Sequence, residues 1–236
     1  MKTSSLIAVA ALGAVVGAGA VWSVDRFAAP VPGRAGIERV VRDYVVTHPE
    51  IIVQAMQTLQ NRESGKAVAA NRDAIATPFA GAWAGNPKGD VTLVEFYDYN
   101  CGYCRASLPM IADLIKRDPG LRVVYRELPI LGPTSRPAAR ASLAAAQQGK
   151  FGAFHEALYA AGPVSEASIA ATAARTGVAL PGSNAPVLDQ EIARNMDVAA
   201  KLGVTGTPTW IVGDQMLSGA LPVADLERAI AAARGR

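Results

Sequence analysis

Val91-Thr92-Leu93-Val94-Glu95-Phe96-Tyr97-Asp98-Tyr99-Asn100-Cys101-Gly102-Tyr103-Cys104 joins a β-branched, apolar run to a C-x-x-C pair. The turn cluster Asn86 to Asp90 precedes it, so Val91–Tyr97 is bounded as a strand. Cys101 to Lys116 then reads as a helix with Ala106, Met110, Ile111 and Leu114 on one side. The cysteines therefore stand where a strand hands over to a helix N-terminus. Unpaired backbone N–H groups and the positive end of the helix dipole favour a thiolate there, and the thiolate is the reactive form of cysteine. Cys101 is expected to be the exposed, attacking thiol and Cys104 the more buried, resolving one.

Reading outward from this segment, Leu121 to Tyr125 is the next strand. A helical stretch runs from Pro133 to about Thr176, broken at Gly149, Gly162-Pro163 and Gly177. Leu188 to Leu202 is a further helix stopped by Gly203, Thr209–Val212 and Gln215–Leu217 form a strand pair around Gly213-Asp214, and Pro222 to Arg234 closes as a helix. Strand, helix, strand, several helices, strand, strand, helix is an α/β order with a helical block inserted midway.

Composition narrows the chemistry. Half of the 236 residues are hydrophobic and 18% are charged, which fits a buried core. The net charge of +3 comes from scattered residues without a basic run, so no nucleic-acid partner is indicated. Two cysteines three apart make no staple framework; they read as a pair that cycles between thiol and disulfide. The bland alternatives are a static disulfide, which in so short a loop constrains the unfolded chain little, and half of a metal site. Zinc takes about four ligands, whereas the remaining soft donors, His48 and His155, are distant in sequence. No metal and no cofactor beyond the cysteine pair is expected.

Lys2 followed by the apolar run Leu6 to Trp22, with Ala18-Gly19-Ala20 as an A-x-A site, has the pattern of a secretory signal. At about 17 residues the run is also near the lower limit for an uncleaved membrane anchor. Either reading exports the remainder, to a compartment where disulfides persist. A linker rich in Pro and Gly follows. Ile37, Val40, Val41, Tyr44 and Val45 make one helical stripe; Ile51, Ile52, Ala55, Met56 and Leu59 make a second, with Thr47 as cap and Pro49 in the first turn. These stripes can dock on the chain's own domain or join several chains as a homo-oligomer through residues 37–60. The segments are thus 1–22 signal peptide or anchor, 23–85 linker and N-terminal helices, and 86–236 the α/β domain, with its helical insertion at about 133–202.

The run Val94 to Cys104 resembles the active-site segment of DsbA-type periplasmic thiol–disulfide oxidoreductases. Gly203-Val204-Thr205-Gly206-Thr207-Pro208-Thr209 resembles their cis-proline loop, and Gly149 to Tyr159 a segment of their helical insertion. The resemblance covers Val91 to the C-terminus and implies a thioredoxin-like fold with an inserted helical domain and an N-terminal helical extension. It implies that Thr207–Pro208 is a cis peptide against the cysteines, leaving backbone groups free for an extended client; an ordinary trans turn is the alternative. It also implies that Glu95 is a buried acid relaying the proton of Cys104, although strand alternation leaves a solvent-facing Glu95 open. Gly102-Tyr103 replaces the Pro-His of the strongest oxidants, so the resemblance implies a potential between about −270 and −120 mV. Gly-Tyr with Thr before the proline looks more like the isomerase branch, and the N-terminal helices resemble those of copper-sensitivity-suppressor C-type proteins, where they drive oligomerisation. His155, Phe151 and Phe154 follow helical spacing and read as core packing.

The expected activity is exchange of a Cys101–Cys104 disulfide with unfolded or misfolded exported proteins, as oxidase or isomerase, with a membrane redox partner restoring the pair. A second class of function stays open: the same thiols suit Cu(I), as in a periplasmic copper-handling protein.

Overall fold

The computed structural model describes residues 33–235, so the leader and the start of the linker lie outside the described residues. The chain divides into two units, one up to Met56 and one from Gln57 onward. In the first, helix α1 (Arg34–Thr47) and the opening turns of α2 (Glu50–Ala70) carry exposed apolar side chains: Ile37, Val40, Val41, Tyr44, Ile52, Val53 and Met56. Thr47, expected to cap the second helix, instead ends the first. Its hydroxyl donates back to the Asp43 and Tyr44 carbonyls at 2.7 and 3.2 Å, satisfying acceptors a helix C-terminus leaves unpaired.

The second unit is built on a five-stranded sheet of order β1-β3-β2-β4-β5. Its strands are β1 (Trp83–Gly85), β2 (Val91–Tyr97), β3 (Leu121–Glu127), β4 (Thr209–Val212) and β5 (Gln215–Ser218). β2 and β3 run parallel, joined through helix α4 (Gly102–Arg117), and the other pairings are antiparallel. β2 is central and, Thr92 apart, buried throughout, as a strand covered on both faces must be. Leu93 and Tyr97 face a core with Ile111 and Leu114 of α4 and Leu226 and Ile230 of α9 (Val223–Arg234). Val94 and Phe96 face the other core, with Val68 of α2, Ile75 of the short α3 (Arg72–Ala76), and Val198 and Leu202 of α8 (Pro186–Leu202).

Four helices, α5 (Ser135–Gln147), α6 (Phe151–Ala160), α7 (Glu166–Thr176) and α8, lie between β3 and β4 in the chain. The breaks fall at the glycines the sequence marks. Gly203 ends α8 in the left-handed conformation, φ 73°, where a side chain would be strained, and turns the chain toward residues 207 and 208. The buried side of α4 is Cys104, Ser107, Ile111 and Leu114, whereas Ala106, expected on that side, is exposed.

Arg126 near the end of β3 is buried and fully used. It donates to Glu191 Oε1 at 2.8 Å and Asn195 Oδ1 at 3.1 Å on α8, to the Ile75 carbonyl at 3.1 Å, and to the carbonyls of Ala74 and Thr77. One guanidinium thus closes the C-terminal end of α3 and ties it to the sheet and the insertion.

Candidate active site

Cys101 is the N-cap of α4, with extended backbone (φ −80°, ψ 112°), and its sulfur accepts the Cys104 N–H at 3.2 Å. That bond satisfies one of the free N–H groups of the first turn and would stabilise charge on the sulfur. The Cys101 thiol also donates to the Thr207 carbonyl at 3.3 Å. The Thr207–Pro208 bond is cis, so the trans-turn alternative is set aside. Pro208 itself is fastened through its carbonyl, which accepts the Gly219 N–H at 2.8 Å. The Thr207 hydroxyl is buried without a hydrogen-bond partner among the described residues.

The expected contrast in exposure between the two sulfurs is not found. Cys101 is 4% exposed and Cys104 1%, because the 207–208 loop lies over the first and the core encloses the second. Both are free thiols.

Glu95 points inward and is 2% exposed, which removes the solvent-facing alternative. Alternation does not expose it because both faces of β2 are covered. Burial pushes its carboxyl well above the ordinary range, the charge of Cys101 adds to this, and the Ser107 hydroxyl pulls the other way. Burial first, and then the Glu95 charge, push the Cys104 thiol far up, opposed by the backbone N–H of Asp98. Charge on Cys101 thus makes both Glu95 and Cys104 harder to ionise, and charge on Glu95 does the same to Cys104.

Residues outside the expected set complete the surroundings. Asp98, 2% exposed, accepts the Asn100 N–H at 2.9 Å and, through its other oxygen, the Ile130 and Leu131 N–H groups at 2.9 and 2.8 Å. Asn100 donates to Thr134 and Ser135 at 3.0 and 2.8 Å. His155 is buried among Tyr97, Tyr99, Tyr125, Phe151 and Tyr159, and its Nδ1 is 2.9 Å from the Tyr99 hydroxyl. Burial lowers its pKa to about 3, so it stays neutral, in keeping with a packing role. Tyr99 and Tyr97 both reach Ser142 (2.9 and 3.2 Å), and Tyr97 donates to Glu127, whose carboxyl burial raises to about 8. An acid closing a strand is the one sequence signal that could have pointed to Glu127.

Residues 92–231, more than half of the chain, match the DSBA-like thioredoxin domain, and residues 34–64 match the copper resistance protein ScsC N-terminal domain. Among solved structures, a linker-deletion mutant of ScsC from Proteus mirabilis is 28% identical with a TM-score of 0.68, covering 88% of this chain and 99% of its own. A thioredoxin-like oxidoreductase from Silicibacter pomeroyi is 42% identical with a TM-score of 0.64, covering 70% and 99%. The thiol-disulfide exchange protein alpha-DsbA2 from Wolbachia pipientis is 28% identical with a TM-score of 0.66, covering 74% and 97%. A curated relative, the Na(+)/H(+) antiporter NhaA 1 of Salinispora arenicola, is 31% identical over 156 residues, 63% of this chain. The match spans 24% of that relative's own length. With its C-x-x-C at a helix cap, its cis proline and its helical insertion, the chain belongs to the DSBA-like thioredoxin family.

Proposed function

We propose that the chain rearranges disulfides in exported client proteins, with Cys101 attacking, Cys104 resolving, Glu95 handling the proton, and Thr207 and Pro208 receiving the client backbone. The observation that carries this is the placement of the Cys101 sulfur, at a helix N-cap and 3.3 Å from the carbonyl preceding the cis proline.

The Cys101 thiolate attacks one sulfur of a client disulfide. A mixed disulfide forms and the other client sulfur leaves as a thiolate. In isomerisation that thiolate, or another on the client, attacks the mixed disulfide and regenerates Cys101. If the client stalls, Cys104 attacks the Cys101 sulfur and expels the client thiol, leaving the Cys101–Cys104 disulfide and a reduced client. Cys104 must lose its proton in that step. Glu95 is the acceptor, its own proton affinity raised toward the thiol's by burial. A membrane redox partner outside the cytoplasm then returns the pair to the dithiol. Among the described residues no helix is long and apolar enough to cross a membrane.

The net direction follows from assembly. Ile37, Val40, Val41 and Tyr44, together with Ile52, Met56 and Leu59, stand exposed at helical spacing, and a second copy of the chain is the partner these stripes fit. Paired sites can hold one misfolded client between them, which favours isomerisation. Mass in solution, measured with reactivation of a scrambled disulfide substrate, tests both. An oligomer that reactivates the substrate, and a Val41→Asp/Ile52→Asp variant that is monomeric and does not, is the expected result. A monomeric wild type that only oxidises reduced clients overturns the isomerase reading.

A further inference from the structure

The groups flanking the sulfurs converge on a residue outside the exchange chemistry. We infer that Asp98 is a positioning residue: it fixes the sulfur-bearing turn to the helical insertion and to the exposed Ile130–Leu131 loop, and so sets how closely Cys101 and Cys104 are held.

The main-chain carbonyl and both carboxylate oxygens of Asp98 are engaged. Its carbonyl accepts the Cys101 N–H at 2.9 Å and the Tyr159 hydroxyl of α6 at 3.1 Å. One carboxylate oxygen takes the Asn100 N–H, and the other takes both Ile130 and Leu131 N–H groups. One side chain, itself 2% exposed, therefore ties the residue before Cys101 to the Ile130–Leu131 backbone, while the main-chain carbonyl of the same residue holds the Cys101 N–H. Ile130 and Leu131, 40% and 50% exposed, ride on the same anchor.

A disulfide within a protein is favoured over one with a small thiol to the extent that its two sulfurs are held together, an effective concentration. Loosening the turn lowers that concentration. The inference rests on thiol–disulfide exchange at Cys101 and Cys104, and is read from the balance between protein disulfide plus two glutathione and protein dithiol plus glutathione disulfide. Asp98→Asn keeps the shape but turns an amide N–H₂ toward the loop N–H donors. Asp98→Ser keeps an acceptor for Asn100 and abandons the loop. Glu191→Gln, which weakens the buried pair with Arg126 away from the sulfurs, is the control for lost stability alone.

Both Asp98 variants, folded by circular dichroism, are expected to shift the equilibrium about tenfold toward the dithiol, which is about 30 mV for a two-electron couple, while Glu191→Gln leaves it in place. A shift below threefold in the Asp98 variants, or an equal shift in Glu191→Gln, overturns the positioning role. Wild-type protein that does not equilibrate with glutathione at all sinks the exchange reading itself, and the positioning role with it.

Discussion

The sulfur of Cys101 meets the carbonyl oxygen of Thr207 at 3.3 Å across 106 positions of chain. Sheet register brings this about. Antiparallel pairing of β2 with β4 sets Phe96 opposite Thr209, so the residues just beyond β2 and just before β4 arrive at the same edge. A client segment replacing that internal contact would meet the sulfur and the backbone of Thr207 together.

Division of labour between the sulfurs is open to direct trial. Cys101→Ser is expected to abolish exchange, and Cys104→Ser to accumulate clients as mixed disulfides, because the resolving step is lost while the attacking one remains. Non-reducing electrophoresis followed by mass spectrometry reads this. Clients trapped by Cys101→Ser in place of Cys104→Ser would reverse the roles.

Glu95→Gln removes the proton-exchanging group without changing side-chain size. Release of a client by Cys104 is expected to slow by about 10²-fold, the usual weight of a positioned general base, while formation of the mixed disulfide with Cys101 changes little. Stopped-flow separation of the two phases is the measurement. Equal slowing of both would mean that Glu95 acts on the whole pair and not on the resolving proton.

Much of this arrangement could be read from residue pattern. Val91–Tyr97 has turn residues before it and a helix signal after it, so its ends are sharp and the structure reproduces them. The insertion announces itself by glycine breaks. Trp83–Gly85 does not: three residues at a sheet edge carry no period. Nor does Arg72–Ala76, five residues held by the remote guanidinium of Arg126. Asp98 reads as an ordinary turn residue, because the backbone groups that use its carboxylate lie 32 and 33 positions away and leave no mark on local spacing. The closure of Cys101 was hidden for the same reason: its cover comes from residue 207.

Stability should fall as pH rises from about 6.5 to about 8. Folded Glu127 keeps its proton up to about pH 8, whereas an unfolded Glu loses it near about 4.3. Unfolding in between therefore releases a proton, and rising pH favours the unfolded chain. His155 works in reverse, with a folded value of about 3 against about 6.5 unfolded, but its contribution is complete above 6.5. Across the remaining window Glu127 accounts for a loss of about 2 kcal/mol. Urea titrations at both pH values should show a smaller slope in Glu127→Gln; identical slopes would mean the carboxyl is not held protonated.

Arg126→Ala should destabilise the domain by about 3 kcal/mol, since it leaves the buried Glu191 carboxylate with the largely exposed Arg194 as its remaining ion-pair partner and frees carbonyls at the end of α3. Denaturant midpoints measure this. A loss below about 1 kcal/mol, the range of exposed pairs, would show that the clamp is not needed.

The long stretch separating the attacking sulfur from its covering loop also leaves the protein room to diverge. In a flexible chain each doubling of such an intervening length adds only about 0.6 kcal/mol to closing it. The loops and outer faces of the block from α5 to α8 can therefore vary while the sulfur-bearing turn stays as it is, provided Tyr159 still reaches the Asp98 carbonyl, Ser135 still meets Asn100, and α8 keeps Val198 and Leu202 in the core and Glu191 on Arg126.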